Sequence, residues 1–215
     1  MTNALALSAS AFSADPAAHL AFAHELEALA TRLRDVTVRI HAGSGRYDAV
    51  GAGVLWRTGA RRLVVTNAHV VRASRGKIVG LETADGRVVE GAVVARDCEL
   101  DLAAIALPDA ASDWPPPAML GDARAVRVGE IVVALGHPMG VAGSLSFGVL
   151  HAKPSAEASW IRADIRLAPG NSGGPLATLD GSVIGVNCMV ASGLGIAIPA
   201  HVVDGFVREG AAAVS

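Results

Sequence analysis

Pro169-Gly170-Asn171-Ser172-Gly173-Gly174-Pro175-Leu176 sets one serine among three glycines, in a tight loop that leads into a strand. Glycine reaches φ > 0 and lets another backbone come close. A nucleophilic serine needs both properties. Its hydroxyl must stand free, and nearby backbone N–H groups must aim at one point where an oxyanion develops. A bare G-x-S-G would read as an ordinary glycine-rich turn, but the full eight-residue run is much more specific. Ser172 is thus a candidate nucleophile. A serine hydroxyl is weak without a base.

The base comes from Thr66-Asn67-Ala68-His69-Val70-Val71, where a β-rich run ends on His69. Six other histidines read differently: His19 and His24 fall on an N-terminal helix, His41, His137 and His151 in or beside strands, and His201 near the C-terminal end. A third group must orient the imidazole. Glu99-Leu100-Asp101-Leu102-Ala103-Ala104-Ile105-Ala106-Leu107 puts Asp101 at the mouth of an apolar strand. A carboxylate entering such a run is partly buried and calls for a partner. Asp97 and Glu99 read as solvated strand-end acids.

The texture around these residues is β-rich. Short runs bounded by Gly, Asp and Ser recur over 36–41, 49–56, 62–66, 77–82, 88–96 and 102–107, then 131–135, 143–151, 160–165, 182–189 and 195–198. Between the two groups stands Ser112-Asp113-Trp114-Pro115-Pro116-Pro117, a stiff connection whose prolines donate no hydrogen bonds. This pattern predicts an all-β fold of sandwich or barrel type, and no helices separate the strands as a parallel α/β sheet would require. Ahead of it, 16–34 predicts an amphipathic helix capped by Asp15, with Leu26, Leu29 and Leu33 on one face, packed on the main body or on another subunit. A short helix over 201–208 closes the chain. The division expected is 1–35 for tail and helix, 36–117 for the first β unit with its linker, 118–209 for the second unit with the closing helix, and 210–215 for a tail.

Composition narrows the function classes. Hydrophobic residues make up 52% of the 215, enough to bury a sizeable core, and charged residues only 18%. The net charge of −2 argues against nucleic acid as a partner, because duplex binding needs a basic surface. Arg57, Arg61 and Arg62 read as a solvated hairpin tip. No run reaches the length of a membrane span. Two distant cysteines, Cys98 and Cys188, fit neither a disulfide scaffold nor a metal motif and read as small buried residues, so no metal is expected. The first residues carry no Lys or Arg before a broken apolar stretch, so no cleaved signal is expected and a cytoplasmic location is slightly favoured.

The order His69, Asp101, Ser172 is similar to that of chymotrypsin-like serine proteases. "TNAHVV", "DLAAIAL" and "GNSGGPL" most resemble the HtrA (Deg) branch of bacterial trypsin-like peptidases. Val50-Gly51-Ala52-Gly53-Val54 resembles its small-residue strand before the histidine. Leu135-Gly136-His137-Pro138-Met139-Gly140 resembles its "GNPFG" turn, with histidine for asparagine. Gly185-Val186-Asn187 and Gly195-Ile196-Ala197-Ile198-Pro199 resemble "GIN" and "GFAIP". The resemblance covers about 36–208.

This resemblance implies two six-stranded antiparallel β-barrels, with His69 and Asp101 from the first and Ser172 from the second. It implies serine endopeptidase chemistry on polypeptide substrates, without cofactor or metal. The amides of Gly170 and Ser172 would form the oxyanion hole, and Cys188, Met189 and Val190 would pair with the substrate backbone. Leu167 and Val190 would line an apolar specificity pocket, so cleavage after Val, Ile, Ala or Leu is expected, with Arg166 nearby able to draw acidic side chains. A role in protein quality control and trimers built through the N-terminal segment follow from the same likeness. Two departures stand out: the chain ends soon after the closing helix, so no PDZ domain is expected, and 166–169 lacks the usual "NRG". Cys188 also replaces a hydroxyl residue that supports the aspartate, leaving three roles for it: thiol donor to Asp101, core filler, or disulfide partner of Cys98. The runner-up function is a protease-fold binding or chaperone-like protein with weak or gated catalysis. An α/β-hydrolase esterase fails on the order of its residues.

Overall fold

The computed structural model describes residues 16–43, 49–72, 74, 78–108, 114–155 and 159–212. The first helix, α1 (Pro16–Asp35), opens on a proline, whose missing N–H costs nothing at a helix start. Its expected cap, Asp15, lies outside the described residues. Leu29 and Leu33, one helical turn apart, are each 1% exposed. Leu26 packs beside them, so the apolar face is buried against the chain's own body. The Thr37 hydroxyl donates to Leu33 O at 2.6 Å and satisfies a carbonyl of the last turn.

Strands β1 (Thr37–Ala42), β2 (Ala49–Thr58), β3 (Arg61–Thr66), β4 (Ile78–Glu82), β5 (Val88–Asp97) and β6 (Leu102–Ala106) close one barrel in the order β1-β2-β3-β6-β5-β4. Strands β7 (Ile131–Gly136), β8 (Ser144–Ala152), β9 (Ile161–Asp164), β10 (Pro175–Thr178), β11 (Val183–Ala191) and β12 (Leu194–Pro199) close a second in the order β10-β11-β12-β9-β8-β7. Every ladder in both is antiparallel. Helix α2 (Ala200–Ala212) follows and runs beyond the helix and tail boundary expected from sequence. No described helix is long and apolar enough to cross a membrane.

Three apolar clusters organise the molecule. Val38, Ile40, Leu55, Val64, Leu81 and Ile105 fill the first barrel. Val132, Leu150, Ile161, Leu176 and Ile184 fill the second. The third lies between them, where Trp56 and Leu102 meet Leu135 and Val186, with Leu33 of α1 and Phe206 of α2. The proline-rich connection is pinned as it passes between barrels. Trp114 is buried with the first barrel's core, Arg62 donates to its carbonyl at 3.2 Å, and Ala118 N–H donates to Leu55 O at 2.9 Å. Ser112 and Asp113 lie outside the described residues.

Candidate active site

His69 stands in the turn that follows β3. Asn67 and Ala68 anchor this turn by donating, through Nδ2 and the backbone N–H, to Asp101 O at 3.0 and 3.1 Å. Val70 and Val71 sink into the first barrel's core and leave the imidazole exposed between them and the solvent. Asp101 closes the turn before β6 in the left-handed region, at φ 53°. The turn is tightened upstream, where Asp97 Oδ1 accepts the N–H groups of Glu99 and Leu100 at 2.8 and 2.9 Å. Glu99 is exposed, as expected.

The Asp101 carboxylate then meets His69 twice. Oδ1 accepts the His69 backbone N–H at 3.0 Å, and Oδ2 accepts ring Nδ1–H at 2.7 Å. An ionised carboxylate only accepts, so Nδ1 carries the proton and Nε2 keeps its lone pair. The Cys188 thiol donates to the same Oδ2 at 3.1 Å. Burial pushes the Asp101 carboxyl up, but hydrogen bonds from the His69 ring, the Cys188 thiol and the His69 N–H outweigh it and hold the group below the usual aspartate value. Burial, and then Asp101 itself, push the Cys188 thiol far above its ordinary value, so it stays protonated as a donor. The two cysteines are free. Cys188 is buried, but Cys98 is exposed, because it stands in the turn between Asp97 and Asp101 rather than in a strand. This corrects the expectation of two buried residues and removes the disulfide.

The serine loop is built from backbone. Gly170 and Gly173 have φ of +105° and +84°, where a side chain is strained. A Cβ on Gly170 would lie 2.3 Å from His137 O, and one on Gly173 2.0 Å from Ala52 O. The loop is therefore wedged between the 137–140 turn and strand β2. Ala52 N–H donates to Ser172 O at 2.9 Å, and Gly173 N–H to Asn187 O at 2.8 Å. Asn171 N–H turns back to Ala168 O at 3.0 Å. The amides of Gly170 and Ser172 carry no hydrogen bond among the described residues. The Ser172 hydroxyl donates to Cys188 O at 3.0 Å.

His69 and Ser172 line one cleft of about 510 Å³, together with Leu167, Ala168, Pro169, Asn171, Asn187, Cys188, Met189 and Val190. Met189 and Val190 project from β11 and are 48% and 53% exposed. Cys188 turns its carbonyl towards Ser172 and its thiol towards Asp101. Asp101 and Gly170 sit behind the lining, against His69 and His137 respectively. Arg166 is exposed and outside the lining, and among the described residues no carboxylate lines the cleft. Ala168, Pro169, Asn171 and Asn187 join the site, although in sequence they stand only inside motifs and carry no assigned role. Their adjacency to Gly170 and Cys188 was the available signal.

The remaining histidines separate by setting. His137 is buried, with Nδ1 accepting Gly143 N–H at 3.2 Å. Burial, then the nearby Arg39 charge, lower its pKa to about 4, so the ring is neutral near pH 7. His41 pairs with Glu82 at 2.8 Å, and His151 is exposed.

Comparison with known proteins agrees with this geometry. Residues 51–186 match the trypsin-like peptidase domain family. The chain is 36% identical over 181 residues to the mitochondrial serine protease HTRA2 of Bos taurus, covering 79% of this chain and 38% of that one. It is 35% identical over 150 residues to a probable periplasmic serine endoprotease DegP-like of Halomonas elongata, covering 65% of this chain and 31% of that one. The chain thus spans about a third of these relatives' length. Among solved structures, a serine endoprotease from Yersinia pestis superposes with a TM-score of 0.75 at 23% identity, over 86% of this chain and 65% of that one. The HtrA-type protease AlgW with tripeptide gives 0.73 at 25% identity, over 84% and 62%. With its two six-stranded barrels and the matched residues around the cleft, the chain belongs to the trypsin-like peptidase family, in its HtrA/Deg-like branch.

Proposed function

We propose that the chain is a serine endopeptidase that cleaves polypeptides by acyl transfer. The observation that carries this reading is the 2.7 Å bond between His69 Nδ1 and Asp101 Oδ2, with Ser172 on the same cleft. Ser172 Oγ attacks the scissile carbonyl and forms the C–O bond. His69 Nε2 takes the hydroxyl proton and later delivers it to the leaving amine. Asp101 stays ionised, fixes the tautomer and stabilises the imidazolium. The unengaged amides of Gly170 and Ser172 receive the oxyanion, and such a donor is worth about 2.7–4 kcal/mol on the transition state. Water then attacks the acyl-enzyme with His69 again as base.

Substrate pairs as an added strand along Cys188, Met189 and Val190. With Leu167 beside Val190 and no carboxylate on the lining, cleavage follows Val, Ile, Ala or Leu. Protein quality control is the setting we assign, as the resemblance to the HtrA/Deg branch implies. The exposed first half of α1, which carries Leu20 and Phe22, is the segment we assign to self-assembly as a trimer, which analytical ultracentrifugation reads directly.

One observation favours a gated form of this activity, akin to the chaperone-like reading. The Ser172 hydroxyl donates to Cys188 O, the carbonyl a substrate strand would claim. Substrate pairing releases the hydroxyl towards His69. A fluorophosphonate probe with casein turnover tests the whole reading. Labelling and cleavage are expected in the native chain, and Ser172→Ala should lose both, with activity down by about 10⁴-fold or more. Cleavage retained in Ser172→Ala would end it, and a chain that binds unfolded casein without cleaving it would favour the binding protein.

A further inference from the structure

The 137–140 turn lies directly behind the serine loop, and it belongs to the second barrel. Two of its amides reach the loop. His137 N–H donates to Gly170 O at 2.9 Å, and Met139 N–H donates to Pro169 O at 3.1 Å. The second bond matters most for chemistry. A peptide unit is planar and trans, so Pro169 C=O and Gly170 N–H lie in one plane and point in opposite directions. Fixing Pro169 O behind the loop therefore fixes the direction of Gly170 N–H on its other side.

Met139 holds this position at a conformational cost. It is left-handed at φ 49°, followed by Gly140 at +83°, yet its side chain is 87% exposed and buries nothing in return. Within the turn, Gly140 N–H donates to His137 O at 3.1 Å and Val141 N–H to Pro138 O at 2.9 Å, and a further restraint on the pair comes from the first barrel. Arg39 on β1 extends across the interface, and its Nη2 donates to Gly140 O at 2.7 Å. Its Nη1 stands 3.5 Å from Glu82 Oε2 on β4, the residue directly across the ladder. Glu82 is in turn held by His41 at 2.8 Å. A second cation, Arg34 of α1, donates from Nε to Gly143 O at 3.1 Å where the turn ends. Gly143 N–H closes the turn on His137 Nδ1.

We propose that Arg39 is a positioning residue for acyl transfer. Its guanidinium, aligned by Glu82, clamps Gly140 so that Met139 orients the Pro169–Gly170 peptide and presents the Gly170 N–H to the oxyanion. The inference rests on the endopeptidase reading. Because the clamp spans the two barrels, it also ties the barrel that carries His69 to the loop that carries Ser172. The interaction is specific to a guanidinium, which serves a carbonyl and a carboxylate through two nitrogens at once, whereas an ammonium offers a single point.

Transition-state binding separates this role from mere stability. With an apolar peptide substrate, Arg39→Met should lower kcat about tenfold to a hundredfold while KM holds within about threefold. A peptide boronate, whose tetrahedral adduct fills the oxyanion position, should lose affinity by the same factor. Arg39→Lys should recover part of the loss. Should Arg39→Met fail to fold, Glu82→Gln leaves the guanidinium in place without its aligning charge and should show the same pattern at smaller amplitude. Unchanged kcat and boronate affinity beside a lowered Tm would overturn the proposal. A second arm needs no turnover: in a Ser172→Ala background, Arg39→Met should speed amide hydrogen exchange at Met139, and an unchanged rate would equally overturn it. A native chain that neither labels nor cleaves would instead defeat the endopeptidase reading, with the exchange arm still deciding the clamp.

Discussion

The two sides of the cleft are held by different chemistry. On the first barrel, the Asp101 carboxylate takes the His69 N–H, the His69 ring and the Cys188 thiol, while its backbone carbonyl takes Asn67 and Ala68. On the second barrel, Ser172 rides a loop fixed by main-chain bonds and by glycines that leave room for neighbouring carbonyls. His69 is thus positioned by side-chain identity and Ser172 by backbone shape. The first kind of site fails when a functional group changes. The second fails when an atom is added.

Asp101→Asn probes the first kind. The amide keeps the size of the carboxylate but presents the wrong partner to His69 and favours the wrong tautomer, so kcat should fall by about 10⁴-fold with little change in Tm. A fall below about tenfold would mean that Asp101 plays no part in the reaction. Gly173→Ala probes the second kind. One methyl at φ +84°, built 2.0 Å from Ala52 O, should cost about 3–5 kcal/mol of stability by denaturant titration. A native-like midpoint would show that shape is not what holds the loop.

His137 sharpens the contrast, because a side chain does enter the second barrel's scaffold there. Its folded pKa of about 4 lies below the ordinary histidine value of roughly 6.5. Between those values the unfolded chain takes up a proton that the folded chain refuses. The stability this residue confers is complete above about pH 6.5 and drains away as pH falls towards 4, by up to about 3 kcal/mol. His137→Asn, whose amide oxygen can still accept Gly143 N–H, should flatten the decline of the urea midpoint between pH 6.5 and 4.5. Equal slopes in both proteins would remove the effect. The smallest change is Cys188→Ser. A hydroxyl is a stronger donor to Asp101 than a thiol and should raise kcat by about 0.5–1.5 kcal/mol of barrier, leaving KM alone. If kcat and its acidic limb stay put, the thiol merely fills volume.

Much of this was legible in the chain itself, for reasons that differ by residue. The strands announced themselves through β-rich runs between turn residues. Strand β10 was not set out as a run of its own, because Pro175–Thr178 is four residues long and buried throughout, with no alternation to read. His69, Asp101 and Ser172 were legible because each sits in a local motif. The Cys188 thiol fell where the resemblance implied, against Asp101. The partner of the Ser172 hydroxyl, the left-handed Asp101 and the reach of Arg39 to Gly140 were not legible. They depend on how the chain returns upon itself, and hydrophobic pattern carries no information on that. For α1, periodicity gave the buried face but not its partner, since an amphipathic stripe fits any apolar surface.

The apolar cluster between the barrels has a consequence for how the molecule comes apart. Leu33 of α1, Trp56 and Leu102 of the first barrel, Leu135 and Val186 of the second and Phe206 of α2 belong to one continuous packed layer. Neither barrel can melt without exposing the other's share of that layer, so the two behave as a single cooperative folding unit. A hinge across the cleft would have to shear the same layer, and close-packed interiors do not deform smoothly. Any opening of the cleft would therefore fall to the loops at its rim.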